Sequence, residues 1–340
     1  MQSIRVEDAV GTVLCHDLTK IVPGEYKGPA FKKGQIITEK DVPELLSMGK
    51  SHIYVWELKE GQLHENEAAE RLSRALAGKG IVFTEPSEGK VNLMAESDGM
   101  LSIKEEVLMQ VNMIEDMVAA TRSNRRPMKK GDKVASVRVV PLLIEEDKLQ
   151  QVERLTEGLE TISVQPFHHF KVGVVTTGSE VFHGRIKDKF GPVIIKKMES
   201  YGCQVIRQII VPDDMEQIVS AIQAIKDEGA ELILTTGGMS VDPDDLTPSA
   251  VRAAGAEIVT YGAPVLPGAM LMVAYLDGIP ILGLPACVMY HKTTVFDLML
   301  PTVLAGEPIT KAMVARLGLG GLCLNCEVCR YPACSFGTGA

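Results

Sequence analysis

The chain has 340 residues, a formal net charge of −9, 46% hydrophobic and 23% charged residues, and 5% aromatics. That length allows two or three domains with a sizeable core, and the balance is that of a folded α/β chain, which excludes a disordered or fibrous polymer. The acidic charge argues against a nucleic-acid partner. No apolar run approaches the roughly 18 residues of a membrane span, and Met1-Gln2-Ser3-Ile4-Arg5-Val6-Glu7 has no apolar signal core, so a cytoplasmic protein with no membrane partner is expected.

Residues 1–60 alternate short apolar runs with turns. Asp41-Val42-Pro43-Glu44 reads as a capping box opening a helix that Gly49 ends, which predicts a small mixed α/β unit. Residues 64–76 place Ala68, Leu72 and Ala75 on one face and the pairs Glu67/Arg71 and Glu70/Arg74 outside, an amphipathic helix broken at Gly78 and Gly80. Residues 61–145 read as a β-rich accessory domain. It holds short strands, one helix striped by Val107, Val111, Ile114 and Val118, and a strand over 134–143. The basic cluster Arg122, Arg125, Arg126, Lys129, Lys130 and Lys133 lacks interleaved aromatics and reads as a solvated loop. Residues 146–167 read as a charged linker helix.

From 168 to 310 strand and helix alternate, which predicts a mostly parallel sheet covered on both faces, a three-layer α/β domain. Lys171-Val172-Gly173-Val174-Val175-Thr176 reads as a strand running into Thr177-Gly178-Ser179-Glu180. A helix carrying Ile194, Ile195 and Met198 follows, then a strand over Gln204–Val211. The next helix buries Met215, Ile218, Val219, Ile222 and Ile225, and Asp213 and Glu216 stand at capping-box spacing before it. Leu232-Ile233-Leu234-Thr235-Thr236 is again a strand, and Gly237-Gly238-Met239-Ser240-Val241-Asp242-Pro243-Asp244-Asp245 leads to Thr247 as N-cap and Pro248 as first helical residue. A strand over Glu257–Tyr261 and a hairpin turning at Asp277-Gly278 come next. A last helix carries Met289, Thr293, Phe296 and Leu300 until Pro301 interrupts it.

Two strands that both end in Thr-Thr-Gly place their loops on one carboxyl edge, where open α/β sheets bind ligands. Gly237 and Gly238 let a backbone approach a ligand closely, and the helix start beyond offers N–H donors to an anion such as phosphate. Carboxylates beside an anion call for a divalent cation between them, and Glu180, Asp213, Asp242, Asp244 and Asp245 are the acids in reach. The loop bearing His183, Arg185 and Lys187 supplies cations for a phosphate. His168 and His169 lie near the same edge in sequence. Residues 311–340 form a Cys-rich tail, Cys323-x2-Cys326-x2-Cys329-x4-Cys334. Four thiols this close in a cytosolic chain fit metal better than disulfides. The spacing leans toward a [4Fe–4S] cluster, with zinc or a redox thiol set as alternatives.

Six segments now stand in order: Thr177-Gly178-Ser179-Glu180, Gly184-Arg185-Ile186, Val211-Pro212-Asp213-Asp214, Gly237-Gly238-Met239-Ser240-Val241 with Asp245, Pro267-Gly268, and Gly283-Leu284-Pro285. As a set they resemble the molybdopterin-binding domain shared by the molybdopterin molybdotransferases and the molybdopterin adenylyltransferases, over roughly residues 168–306. Gly11-Thr12-Val13-Leu14 and the stretch from Phe31 through Asp41 to Gly49 look like the first domains of the molybdotransferase branch. The resemblance implies a protein of molybdenum cofactor biosynthesis that binds molybdopterin or its adenylylated form and inserts molybdate in a Mg²⁺-dependent transfer that releases AMP. It implies roles for Glu180, Asp213 and Asp245 around molybdate and metal. Thr177, Gly178, Ser179, Arg185, Lys187, Gly237, Gly238, Met239, Ser240, Asp242, Pro267, Gly268 and Pro285 would hold the cofactor. It also implies a homodimer and a molybdoenzyme client. The chain departs from the family at Leu266, Ala269 and Met270, where lysines and a further proline are usual, and at Ala286-Cys287-Val288, which replaces Gly-Asn-Pro. Two readings therefore stand, an enzyme and a non-catalytic cofactor carrier or sensor, with a nucleotide-phosphate hydrolase as a third.

Overall fold

The computed structural model describes residues 2–339 apart from 23–25, 56–59, 241 and 244, so Asp244 of the acidic loop lies outside the described residues. The chain divides into two compact units, one made of Met1–Glu96, Ile103–Arg122 and Lys130–Val164, the other of Ser97–Ser102, Ser123–Lys129 and Gln165–Ala340.

In the first unit a four-stranded antiparallel sheet runs in the order Ile81–Phe83, Lys90–Ala95, Lys133–Val139, Met117–Thr121. The helix Glu65–Leu76 covers it, with Ala68, Ala69, Leu72 and Leu76 buried as its periodicity requires. Arg71 leaves that helix to bind both oxygens of Glu153, at 2.9 Å each, and Glu146 at 2.8 Å, which ties down the helix Glu146–Thr156. A second small core gathers Val6, Leu14, Leu18, Phe31, Ile37, Leu45 and Ile53. The helix expected over the 107–118 stripe ends at Asn112, and Val118 belongs instead to the strand Met117–Thr121. Val118 and Thr121, both β-branched, are better placed in a strand that pairs with Lys133–Val139 than in a further helical turn. The 134–143 strand likewise stops at Val139.

The second unit carries a six-stranded sheet. Its elements are β1 (Lys171–Thr177), α1 (Phe190–Glu199), β2 (Gln204–Val211), α2 (Met215–Asp227), β3 (Leu232–Thr236), α3 (Thr247–Ala253), β4 (Glu257–Tyr261), β5 (Met272–Leu276), β6 (Ile279–Leu284) and α4 (Val295–Leu304). The strand order is β2-β1-β3-β6-β5-β4. The pairs β2/β1, β1/β3 and β3/β6 are parallel, and β5 runs against both of its neighbours. Strand alternation splits the core in two. Val172 and Val174 of β1 and Leu232 and Leu234 of β3 face α1 and α4, while Val175 and Ile233 face α2 and α3. The result is the expected three-layer α/β arrangement with a mostly parallel sheet.

Three local expectations change. Asp214, not Asp213, caps α2 by accepting Gln217 N–H at 3.0 Å. Thr247 is already inside α3, and its hydroxyl turns away from the helix toward Gly237. Pro301 lies within α4 and does not end it. A proline there has no N–H for the carbonyl of Asp297, and the Tyr331 hydroxyl donates to that carbonyl instead at 2.8 Å. The true start of α4 is a capping box made by Thr294 and Asp297, which leaves Met289 in a separate short turn, Ala286–Met289.

Candidate functional site

Strands β1 and β3 are neighbours. The chain leaves β1 toward α1 on one face and leaves β3 toward α3 on the other, so their carboxyl ends are the topological switch point, where open α/β sheets carry a ligand crevice. Here the two Thr-Thr-Gly endings meet. Thr176 and Thr236 hydroxyls lie 3.2 Å apart, and Gln208 of β2 donates to Thr176 at 2.9 Å. The Thr177 hydroxyl donates to the Thr236 carbonyl at 3.3 Å and lies 3.2 Å from the Thr247 hydroxyl, which donates to the Gly237 carbonyl at 2.9 Å. One buried knot of hydroxyls thus sews the β1 loop, the β3 loop and α3 together.

The glycines of the β3 loop are required by space as well as by conformation. Gly237 and Gly238 have φ of 83° and 53°. A Cβ on Gly237 would fall 2.1 Å from the Thr177 carbonyl oxygen, and one on Gly238 would fall 2.7 Å from Thr247 Oγ1. Met239 turns inward, is 5% exposed, and packs so tightly over Gly283 of β6 that a Cβ there would meet its Cε at 2.6 Å. It is therefore a core peg; only its backbone faces the loop.

The acids mostly shape turns. Asp213 Oδ2 accepts Ser179 N–H at 2.8 Å while Ser179 Oγ accepts Asp213 N–H at 3.2 Å, a reciprocal clasp between the β1 and β2 loops. Asp245 Oδ2 accepts the N–H groups of Ser240 at 3.1 Å and Asp242 at 3.2 Å, closing the β3 loop on itself. Glu180 is exposed on the one-turn helix Ser179–Phe182, whose N-cap Gly178 has φ 146°. Among the described residues no three His, Cys, Asp or Glu side chains are gathered closely enough to hold an ion. The physical reason is that the loop carboxylates are turned onto backbone donors, and the four tail cysteines are spread around an opening. Arg185 and Lys187 are exposed beyond the Ser179–Phe182 turn, on the carboxyl side of β1. Pro267 accepts Val295 N–H at 3.2 Å, and Gly268 lies so close to Val295 that a Cβ would meet it at 2.4 Å, so this pair seats the start of α4. Pro285 is buried at the end of β6. His168 and His169 do not share this edge, because they precede β1 at its amino end, where His168 N–H bonds Leu304 and His169 Nδ1 lies 3.2 Å from the Tyr201 carbonyl.

Two features of the region are not visible in the sequence. Tyr261, at the end of β4, donates to the carbonyls of Met239 at 2.9 Å and Ser240 at 3.1 Å, and burial together with the Asp245 charge pushes its phenol above the usual value. Lys197 of α1 and Asp297 of α4, 100 positions apart, form a partly buried pair at 2.5 Å. Burial also raises the Cys287 thiol above its usual value.

The family described as "Probable molybdopterin binding domain" matches residues 173–305, which span β1 to the end of α4 and so contain this crevice. By that match residues 173–305 resemble a molybdopterin-binding domain. Over 111 residues the chain is 32% identical to a molybdopterin molybdenumtransferase of Synechococcus elongatus, covering 30% of this chain and 28% of that protein. Over 105 residues it is 31% identical to a molybdopterin adenylyltransferase of Pyrococcus furiosus, covering 31% of this chain and 62% of that protein. The chain therefore spans less than two thirds of either relative. Among solved structures, the molybdopterin biosynthesis moea protein of Pyrococcus horikosii aligns over 90% of this chain and 74% of that one at 14% identity, with a TM-score of 0.34. Outside the molybdopterin-binding domain, residues 3–57 match a family described only as a "Domain of unknown function". Among the described residues no helix is long and apolar enough to cross a membrane.

Proposed function

We propose that the molybdopterin-binding domain grips the phosphate end of molybdopterin, or of its adenylylated form, in the β1/β3 crevice, and that the chain transfers molybdate to it in molybdenum cofactor biosynthesis. The observation that carries this reading is the knot in which the Thr177 and Thr247 hydroxyls bind the Thr236 and Gly237 carbonyls, which holds two glycine turns side by side where a phosphate can approach backbone. Ser240 and Asp242 lie in the closed β3 loop beside it, and Arg185 and Lys187 offer charge to the phosphate from the β1 loop. Both of these relatives are named for acting on molybdopterin.

The donor types suit Mg²⁺, although among the described residues no three of them converge on one point. Asp213 and Asp245 each use Oδ2 on backbone, and each carboxylate has a second oxygen; with exposed Glu180 and Asp242 they are hard ligands of the kind this ion prefers. When bound, the ion would neutralise the repulsion between acids and phosphate and polarise the phosphoanhydride. The chain's own residues orient the pterin tail and hold the two loops at fixed spacing. In this reading the protein is a homodimer that hands its product to a molybdoenzyme, and its size in solution is read by light scattering.

The experiment supplies adenylylated molybdopterin, Mg²⁺ and molybdate, and measures AMP. Molybdate-dependent AMP release is expected, reduced about 10²-fold or more in Asp245→Asn, which keeps an oxygen for Ser240 and Asp242 but loses the charge. The departures at Leu266, Ala269, Met270 and Ala286-Cys287-Val288 favour a second reading, a carrier or sensor. Tight pterin binding with no molybdate-dependent AMP would establish that reading instead, and absence of pterin binding would end both.

A further inference from the structure

We propose that Cys323, Cys326, Cys329 and Cys334 hold an iron–sulfur cluster in a built site of the second unit. The segment from Gly320 to Gly337 is a closed loop, pinned where Gly337 N–H bonds the Gly320 carbonyl at 2.7 Å. It is seated on the domain at three further points. Cys323 N–H bonds the Leu266 carbonyl and Leu266 N–H bonds the Gly321 carbonyl, both at 2.8 Å. Tyr331 completes α4 through the Asp297 carbonyl. Phe336, 4% exposed, enters the core, and its carbonyl takes the buried Arg126 guanidinium, which also lies 5.2 Å over the Tyr331 ring.

Between those anchors the loop has no helix or strand, and it exposes Leu324 at 77% and Val328 at 72%. A loop of this length without regular structure or a core of its own needs a staple, and no disulfide supplies one. All four cysteines line one cavity of about 330 Å³, with the 290–293 segment as its other wall. A cavity lined by all four thiols has room for a multi-atom cluster, whereas zinc would draw the four sulfurs to about 2.3 Å from a single point, and three cysteines at two-residue spacing are the usual ligand run of such a cluster. Cys329 Sγ lies 3.2 Å from the Thr293 hydroxyl, a hydrogen bond of the kind that tunes a cluster sulfur. Lys292 and Arg330 on the lining suit an anionic cluster, against one carboxylate there, Glu327. The 290–293 wall is the continuation of the chain from Pro285, so the cluster would sit one loop beyond the end of β6.

The test uses the full chain, purified anaerobically from iron-replete cells with no pterin added, so its outcome is independent of the cofactor reading. About four iron and four sulfide per chain are expected, with a visible absorption that dithionite bleaches. Cys326→Ala, at an exposed position, should cut iron at least several-fold while the thermal transition of the domain persists. As a measurement free of any variant, alkylation of the tail thiols should be blocked in the isolated protein and appear only after oxidative removal of iron. One zinc per chain without sulfide, or four freely alkylated thiols in the anaerobic protein, would overturn the proposal.

Discussion

Asp245 shows how one residue can serve both turn and chemistry, and how the two roles separate. Its Oδ2 holds the Ser240 and Asp242 N–H groups. Asp245→Ala leaves both donors without that acceptor and should cost about 1–2 kcal/mol in urea melts, whereas Asp245→Asn should cost less than half as much. Equal losses in the two variants would mean that the carboxylate charge, not its oxygen, shapes the loop. In the first unit His64 offers a pH test. Its Nδ1 accepts Asn66 N–H at 3.1 Å, which leaves the proton on Nε2, directed at the Cys15 carbonyl at 2.8 Å. Burial, aided by the Lys33 charge, lowers the imidazole from 6.5 to about 4. Because the folded value lies below the unfolded one, the stabilisation from the neutral ring is full above about pH 6.5. It falls as pH drops toward 4 and is gone below that, a loss of at most about 3 kcal/mol. Denaturant melts at pH 7.5, 5.5 and 4.5 should show this slope, and His64→Gln should flatten it. The sequence offered His64 as the first residue of a helix. That its ring is buried against Cys15, 49 positions earlier, could not be read from local pattern.

At the scale of elements, α4 depends on a hydrogen bond from outside itself. Tyr331→Phe leaves the Asp297 carbonyl without its hydroxyl donor and should lower stability by about 1–2 kcal/mol. Pro301→Ala gives α4 its own N–H for that carbonyl, so Tyr331→Phe made on that background should cost clearly less. Additive losses in this double-mutant cycle would refute the coupling. Strand and helix placement was otherwise legible. Gln204–Val211 and Glu257–Tyr261 were delimited to the residue by their β-branched runs, and the hairpin by Asp277-Gly278. Caps were less legible, because Asp213 and Asp214 are chemically alike. Only the β2 loop's approach to Ser179 assigns one to the clasp and the other to α2. Pro301 misled for the same reason: an interior proline is excluded only if no distant group satisfies the carbonyl it orphans.

At the scale of the molecule, the tail is a structural part of the second unit. A chain ended at Gly318 loses the burial of Phe336, the Arg126 contact with its carbonyl and the Tyr331 bond. Together these should lower stability by about 3 kcal/mol or more, a fall of about 6–12 °C in the melting of this unit. An unchanged transition in calorimetry would refute that. Arg126 also corrects the basic loop. It is 2% exposed and spent on the tail, because a guanidinium gathers carbonyls that come from 210 positions away. The sequence alone determined what local periodicity and turn chemistry encode, an alternating α/β unit, two Thr-Thr-Gly endings and a crowded set of thiols, and it carried an ordered set of motifs that resemble those of the molybdopterin-binding domain. The tertiary structure alone decided which ends are neighbours, since β1 and β3 touch only once the chain has crossed the sheet on both sides. It also decided that the loop acids act on backbone donors and that the four thiols ring a cavity, because those facts are set by long-range packing that no window of sequence contains.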